Sequence, residues 1–240
     1  MAVTKVIDTV RKAEKIMNDE GGVRWTRLEL QDWINDAYKE VILHRPDANA
    51  MSATVTLAVG TRQKLADAAS INLPNAISVL DVVRNMAATS NKRAIRFIDR
   101  RILDDQSPAW HADTASLNIL HWMDDPRLPK EFLVWPPAAT GAQVEIAYSS
   151  VPTPHALTIT ALDPGAVTPD TTVLNIDDIY ANMILDYVLY RAYSKDAEYA
   201  ANGQRAVNYL NSFNGAIGIK TTVDSAISPV SVTPMTRRGA

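Results

Sequence analysis

The sequence predicts an α+β protein in which a helical layer carries an inserted antiparallel β-rich region and ends in an extended C-terminal arm. Near both ends of the chain, apolar residues recur at spacings of three and four, the pattern of amphipathic helices. Between them, short runs rich in Val, Ile and Thr are separated by Pro, Gly and Asp, the pattern of strands joined by turns. We therefore assign 1–49 and 175–218 to a helical core, 50–174 to the inserted region and 219–240 to the arm.

Two N-terminal helices open the chain. Apolar residues from Val3 to Asn18 predict the first, which Gly21-Gly22 ends. The second begins near Thr26, because Thr26 followed by Glu29 is the pattern of a capping box. Its apolar face continues until Pro46 stops it. These two helices are expected to join the C-terminal pair in one layer.

The C-terminal hairpin is the stretch around which the rest of the chain is organised. Its first helix carries the apolar stripe Ile176, Ile179, Tyr180, Met183, Ile184, Tyr187 and Val188. The stripe of its second helix is Val207, Leu210, Phe213 and Ile217. We place the break at Ala201-Asn202-Gly203, because Asn and Gly tolerate the left-handed backbone that ends helices.

The inserted region is predicted to form a small antiparallel sheet or sandwich. The expected strands are Thr54–Leu57, Ile71–Pro74, Ile77–Met86, Leu117–Trp122, Phe132–Trp135 and Val144–Tyr148, and Gly60-Thr61 is expected to turn. One short helix is predicted over Arg93–Asp104 from the spacing of its isoleucines. The proline-rich loop Val151–Thr172 is long enough to suggest that it reaches a neighbouring molecule.

Composition and motifs argue against catalysis and tight nucleic-acid binding. The 240 residues include no cysteine, which excludes disulfides and a cysteine nucleophile. The formal net charge of -3 argues against a protein whose main task is to bind phosphate groups. The sequence contains no phosphate-binding loop motif and no nucleophile elbow motif. Its four histidines do not have the spacing of metal ligands. No apolar run is long enough for a membrane span. We therefore expect no enzyme, cofactor, metal site or membrane partner.

Three pairs of adjacent carboxylates could in principle serve a glycosidase, which needs two facing carboxyl groups. They are Asp104-Asp105, Asp124-Asp125 and Asp177-Asp178. Helix ends and turns explain all three more simply.

The expected contact residues lie in three places. Lys92, Arg96 and Arg100 would share one face of the predicted short helix, either as a solvated face or as a surface for an acidic partner, a neighbouring copy or DNA. Trp110 and Trp135 lie beside prolines in expected loops. Each could either contact another chain or be buried as an anchor within this one. The arm has two prolines, little apolar surface and no helical period, so it should order only on a partner. Its candidate docking residues are Ile219, Val223, Ile227, Val230, Val232, Met235, Arg237 and Arg238.

Five stretches resemble the head-to-tail adaptor proteins of tailed bacteriophages, which sit beneath the portal. They are Trp25 to Ala48, Asp81 to Asn85, Pro108 to His111, Val134 to Pro137 and Asp178 to Asp196, the last being the strongest. The resemblance covers roughly residues 23 to 218.

The resemblance implies a structural virion protein, made in the host cytoplasm and located at the head-tail junction. Such adaptors form a ring, usually of twelve copies, which attaches to the portal, lengthens the DNA channel used in ejection and presents a platform for tail or nozzle proteins. Double-stranded DNA would pass without sequence-specific binding, and the acidic balance suits such a conduit. Two alternatives remain: a virion-associated enzyme that cleaves peptidoglycan with a carboxylate pair, and a DNA-binding regulatory module.

Overall fold

The computed structural model describes residues 3–88, 92–163, 165, 170–199 and 201–227. The chain divides into two compact units, one of Met1–Arg45 with Pro154–Ala240 and the other of Pro46–Thr153. The second unit therefore ends at Thr153, whereas the insertion expected from the sequence ends at 174. Side chains of the second helix bind the backbone that follows Pro154, which is why this stretch belongs with the helices.

The first unit begins with helices α1 (Val6–Met17) and α2 (Arg27–His44). Helix α1 ends at Asn18, which adopts the left-handed conformation with φ 57°. Helix α2 starts at the predicted capping box: the Thr26 side chain accepts the Glu29 N–H, and the Glu29 carboxylate accepts the Thr26 N–H. Both N-terminal helices are confirmed.

The C-terminal hairpin consists of a 3-10 turn (Asp178–Tyr180), α4 (Ala181–Lys195) and α5 (Asn202–Ile227). Tyr193 stacks on Tyr209, and Tyr187 packs against Phe213, with ring centroids 5.7 Å and 5.4 Å apart. Left-handed Ala201, with φ 71°, precedes the second helix. The predicted start of an extended arm at residue 219 is wrong, because α5 continues to Ile227. No proline interrupts it before Pro229, and a helix already formed extends at little cost.

The second unit is a β-sandwich. A 3-10 turn (Pro46–Asn49) leads into β1 (Ala50–Thr56), followed by β2 (Gly60–Lys64), β3 (Ala76–Asn85), β4 (Arg96–Phe97), α3 (Arg100–Gln106), a 3-10 turn (Trp110–Ala112), β5 (His121–Asp124), β6 (Glu131–Ala138) and β7 (Gln143–Ser150). One sheet has the order β1-β7-β3 and the other β2-β6-β5-β4. All strand pairs are antiparallel except β4 with β5.

The core of this unit lies between the two sheets. Val55, Val82, Val144 and Ile146 from the first sheet meet Phe132 and Val134 from the second. A smaller cluster of Leu103, Trp110 and Met123 covers the other face of the four-stranded sheet. The α+β fold class is thus confirmed, and of the two predicted alternatives, a small sheet or a sandwich, the structure has the sandwich.

Three local predictions in this unit are wrong. The helix expected over Arg93–Asp104 begins only at Arg100, because Ile95 enters the sandwich core and β4 pairs with β5. Ile71–Pro74 forms a turn, in which the Leu73 N–H donates to the Leu65 carbonyl. Gly60-Thr61, expected to turn, begins strand β2 (Gly60–Lys64), which pairs with β6.

Candidate interaction surfaces

The connector that enters the helical unit after the sandwich, Pro154–Leu162, is bound along one side of α2. Asn35 exchanges two hydrogen bonds with the backbone of His155, and Gln31 accepts the Leu157 N–H at 2.8 Å. Tyr38 Oη lies 2.8 Å from His155 Nε2 and also accepts the Asn175 N–H. This part of the proline-rich loop therefore lies on helix α2 of its own chain, and contact of the loop with a neighbouring molecule stays a prediction.

The histidine in this contact is enclosed. His155 and Tyr38 are 6% and 1% exposed. Burial lowers the pKa of His155, partly opposed by the Asp170 carboxylate, and burial raises the pKa of Tyr38. The sequence contained a signal for this site, because Gln31, Asn35 and Tyr38 are polar residues at spacings of four and three, which places them on one face of α2. Gln31 and Tyr38 are buried and Asn35 is half-buried.

Arg27 joins three segments of the helical unit. Its guanidinium donates to Glu14 of α1 at 2.7 Å, to Asp163 after the connector at 3.0 Å and to the Glu20 carbonyl at 3.3 Å. The Glu14 side chain is only 3% exposed. No sequence motif identified this ion pair, because its partners are brought together only by folding.

Asp178 ties the N-terminal segment to the start of the hairpin. Its carboxylate accepts the Thr4 N–H at 2.9 Å and the Val3 N–H at 2.6 Å. These hydrogen bonds lower the pKa of Asp178, the one from Thr4 most of all. Backbone bonds from Val6 to Thr172 and from Leu174 to Thr4 complete the attachment.

The three carboxylate pairs have structural roles. Asp104 accepts the indole N–H of Trp110, which lowers the pKa of Asp104. Asp125 accepts the Arg127 N–H in a turn, and Asp177 accepts the Ile179 N–H at the start of the hairpin. Within the described ranges, no group of three or more His, Asp or Glu residues is placed to hold a metal ion.

The three basic residues expected on one helix face lie on different elements. Lys92 is in a loop with φ 49°, Arg96 is in β4 and Arg100 begins α3. Arg100 pairs with Asp104 at 3.1 Å, four residues on. The prediction that these residues share one helix face is wrong, because strand β4 takes the place of the first half of the predicted helix. Contact of these residues with a partner stays a prediction.

The two tryptophans differ. Trp110 is fully buried, packs with Leu103 and Met123 and donates to Asp104, so its side chain is an internal anchor and is not available to another chain. Trp135 lies in β6, half-buried, and donates to Asp113 at 2.8 Å. Its contact with another chain stays a prediction.

Helix α5 has an exposed surface without charge, and its last residues extend past the start of α4. Residues 206–219 include no charged side chain, and Val207 and Ile219 are 49% and 69% exposed. Because Tyr187 lies against Phe213 in an antiparallel pair, Ala181 at the start of α4 lies level with about residue 219. The last nine residues, 219–227, form what we call the α5 extension, about 13 Å long at the usual rise per residue.

The predicted docking residues of the arm fall partly on this extension. Ile219, Val223 and Ile227 are in the helix. Val230, Val232, Met235, Arg237 and Arg238 lie outside the described residues. In the described part of the chain, the helices are too short or too polar to cross a membrane.

Comparison with known families adds a match along nearly the whole chain. A family model described as SU10 adaptor protein matches residues 1–233, which include both compact units and α5. No curated protein matches the chain.

Proposed function

Because the chain belongs to the SU10 adaptor protein family, whose members are head-to-tail adaptors of tailed bacteriophages, we propose that it assembles as a ring under the portal. The ring extends the DNA channel and gives tail or nozzle proteins a platform. Its role in the virion is structural. The observation that carries the proposal is the family match over residues 1–233.

Assembly into a ring needs contacts between two different surfaces of each copy, since an isologous pair would close as a dimer. Two features of the helical unit support such contacts. The α5 surface over 206–219 exposes apolar groups with no charge to keep solvated. The α5 extension continues past the start of α4 and ends at Ile227. Twelve copies is our expectation for the closed ring.

The DNA channel is proposed from the charge of the chain. A duplex carries one negative charge per roughly 1.7 Å of its axis, and cationic walls bind it in a salt-dependent way. The net charge of -3 favours a wall along which DNA slides without sequence-specific binding. A ring whose lumen is lined mainly by Lys and Arg would contradict this part of the proposal.

The test is the native mass of the protein alone and with purified portal. The full chain should form a discrete ring on the portal, and a variant that lacks 219–240 should remain folded but fail to join. Folding should survive because Ile217 is the last described side chain of α5 that is buried.

A matched pair of substitutions provides the control. Ile219→Glu in the α5 extension and Val59→Glu in the sandwich alter side chains of nearly equal exposure, 69% and 67%. We expect only I219E to weaken portal binding, by tenfold or more. Equal effects of the two variants, or unfolding of the truncated chain, would argue against the extension as a docking element.

A further inference from the structure

Strand β1 leaves one side of the sandwich open. It is the outer strand of the β1-β7-β3 sheet and pairs with β7 over all seven residues, Ala50 to Thr56, without a register shift. It has no charged residue and no proline. Proteins usually protect an outer strand with charges, prolines, bulges or very short length.

The other outer strands have that protection. Strand β3 shifts register three times and carries Asp81 and Arg84. Strand β2 has a shift and carries Arg62 and Lys64. Strand β4 has two residues, one of them Arg96. Among the described strands that end a sheet, β1 alone has none of these features.

The backbone groups that face the open side can be identified. The Leu57 N–H donates to the Ala142 carbonyl, which continues the β1–β7 ladder. Bonds of an antiparallel ladder alternate along a strand, so Val55 and Ala53 also bond to β7. Ser52 and Thr54 therefore direct their N–H and C=O groups away from β7, and both residues are exposed.

We propose that this open side of β1 binds residues 230–233 of a second copy as an added strand. The proposal rests on the ring assembly proposed above and names one contact within it. Strand addition takes its affinity from main-chain hydrogen bonds, for which an unprotected, regular outer strand is the suitable acceptor.

The sequence and position of the segment argue for this occupant. Val230-Ser231-Val232-Thr233 is uncharged and alternates β-branched with polar residues, a pattern favoured in strands. Helix α5 ends at Ile227, so Val230 can lie up to about 10 Å and Thr233 up to about 20 Å from the helix end when the chain is extended. Pro229 and Pro234 flank the segment and would stop further strands from adding to it.

A ring favours a second copy of the chain as the source of the added strand. Each copy has one β1 and one C-terminal segment, so donors and acceptors are equal in number at any ring size. A closed ring then leaves no open β1 strand.

Because the chain has no cysteine, engineered pairs report the contact directly. Thr54→Cys would be mixed with Ser231→Cys, assembled on the portal and oxidised, and V230C, V232C and T233C would cover the other registers. We expect a cross-linked dimer in at least one mixture and in neither single variant. Asp81→Cys on β3 is the control, and it should give at least fivefold less product.

Maleimide labelling of T54C gives a second measurement. The label should react at least tenfold more slowly in the ring than in the free subunit, and a variant that also lacks 228–240 should lose that protection. Protection of T54C in a ring that lacks 228–240 would overturn the proposal. A ring on the portal with no T54C cross-link would overturn this inference and leave the proposed function standing, whereas no ring at all would overturn both.

Discussion

Removing the Arg27 guanidinium should destabilise the helical unit severely. In the variant Arg27→Met, the Glu14 carboxylate loses the donor that lies 2.7 Å away while its side chain stays 3% exposed. Asp163 loses the same donor, but its side chain is 45% exposed and can be hydrated. The cost should therefore come almost entirely from Glu14.

The size of the effect follows from the geometry. At 2.7 Å and an effective dielectric constant of about 20, the attraction is about 6 kcal/mol, which offsets the cost of removing both charges from water. Loss of one partner of a buried pair typically costs about 3–5 kcal/mol, whereas apolar replacement of both is often neutral. We expect R27M to lower the free energy of unfolding by about 3–5 kcal/mol. The free energy of unfolding of the double variant E14L/R27M should stay within about 1 kcal/mol of that of the parent.

Urea unfolding followed by circular dichroism at 222 nm is the suitable assay, because four of the five α-helices in the described part of the chain belong to the unit that contains this pair. The linear extrapolation gives the free energy of unfolding for each variant. If E14L/R27M lost as much as R27M, or if R27M lost less than about 1 kcal/mol, the carboxylate of Glu14 would not be the source of the cost.

Three further predictions concern single side chains. Burial lowers the pKa of His155 in the folded protein, so as the pH decreases this histidine is protonated first in the unfolded chain. The free energy of unfolding should therefore decrease at pH values below about 6.5, with a slope of up to about 1.4 kcal/mol per pH unit. Urea unfolding at pH 5 to 7.5 checks this, and His155→Gln should flatten the slope. Thr26→Ala removes the capping box of α2 and should cost about 0.5–2 kcal/mol, while Thr26→Asp should retain most of it, as thermal melts would measure. Trp110→Ala should cost about 3–5 kcal/mol and Trp135→Ala less, because only Trp110 is fully buried, and calorimetry of the two variants would compare them.

The sequence predicted best what depends on neighbours along the chain. Thr26 and Glu29 are three residues apart, so their reciprocal hydrogen bonds could be expected before any tertiary structure was known. The apolar spacing in α1 and α4 is equally local. Helix α1 was predicted close to its observed bounds, whereas α4 begins at Ala181, five residues after the start of its predicted stripe, and ends at Lys195.

The errors occur where distant pairing decides the local structure. The isoleucines of 93–104 have helical spacing, yet Ile95 is buried in the sandwich and Arg96 pairs with His121, twenty-five positions away. Likewise Gly60-Thr61 has the residues of a turn, but it is part of strand β2 because β6 supplies a pairing partner. Neither partner is visible in a short window of sequence.

The interaction surfaces were predicted less well than the fold. Charge alone suggested a basic helix face, and pairing of β4 removed the helix on which it depended. The polar stripe of Gln31, Asn35 and Tyr38 was in the sequence, but its meaning required the connector that lies on it. The open side of β1 could not be recognised until the strand order was known, because exposure of a strand is a property of the sheet.

The α5 extension sets both the direction and the distance at which the chain leaves the helical hairpin. Each residue of an α-helix turns the chain by about 100° and advances it by about 1.5 Å. One residue inserted after Ile219 would therefore turn the helix end at Ile227 by about 100° around the axis, although the added length is only about 1.5 Å. Seven inserted residues would restore the direction to within about 20° and move the helix end outward by about 10 Å. Orientation, more than reach, would then limit which changes of length in this helix an assembled particle tolerates.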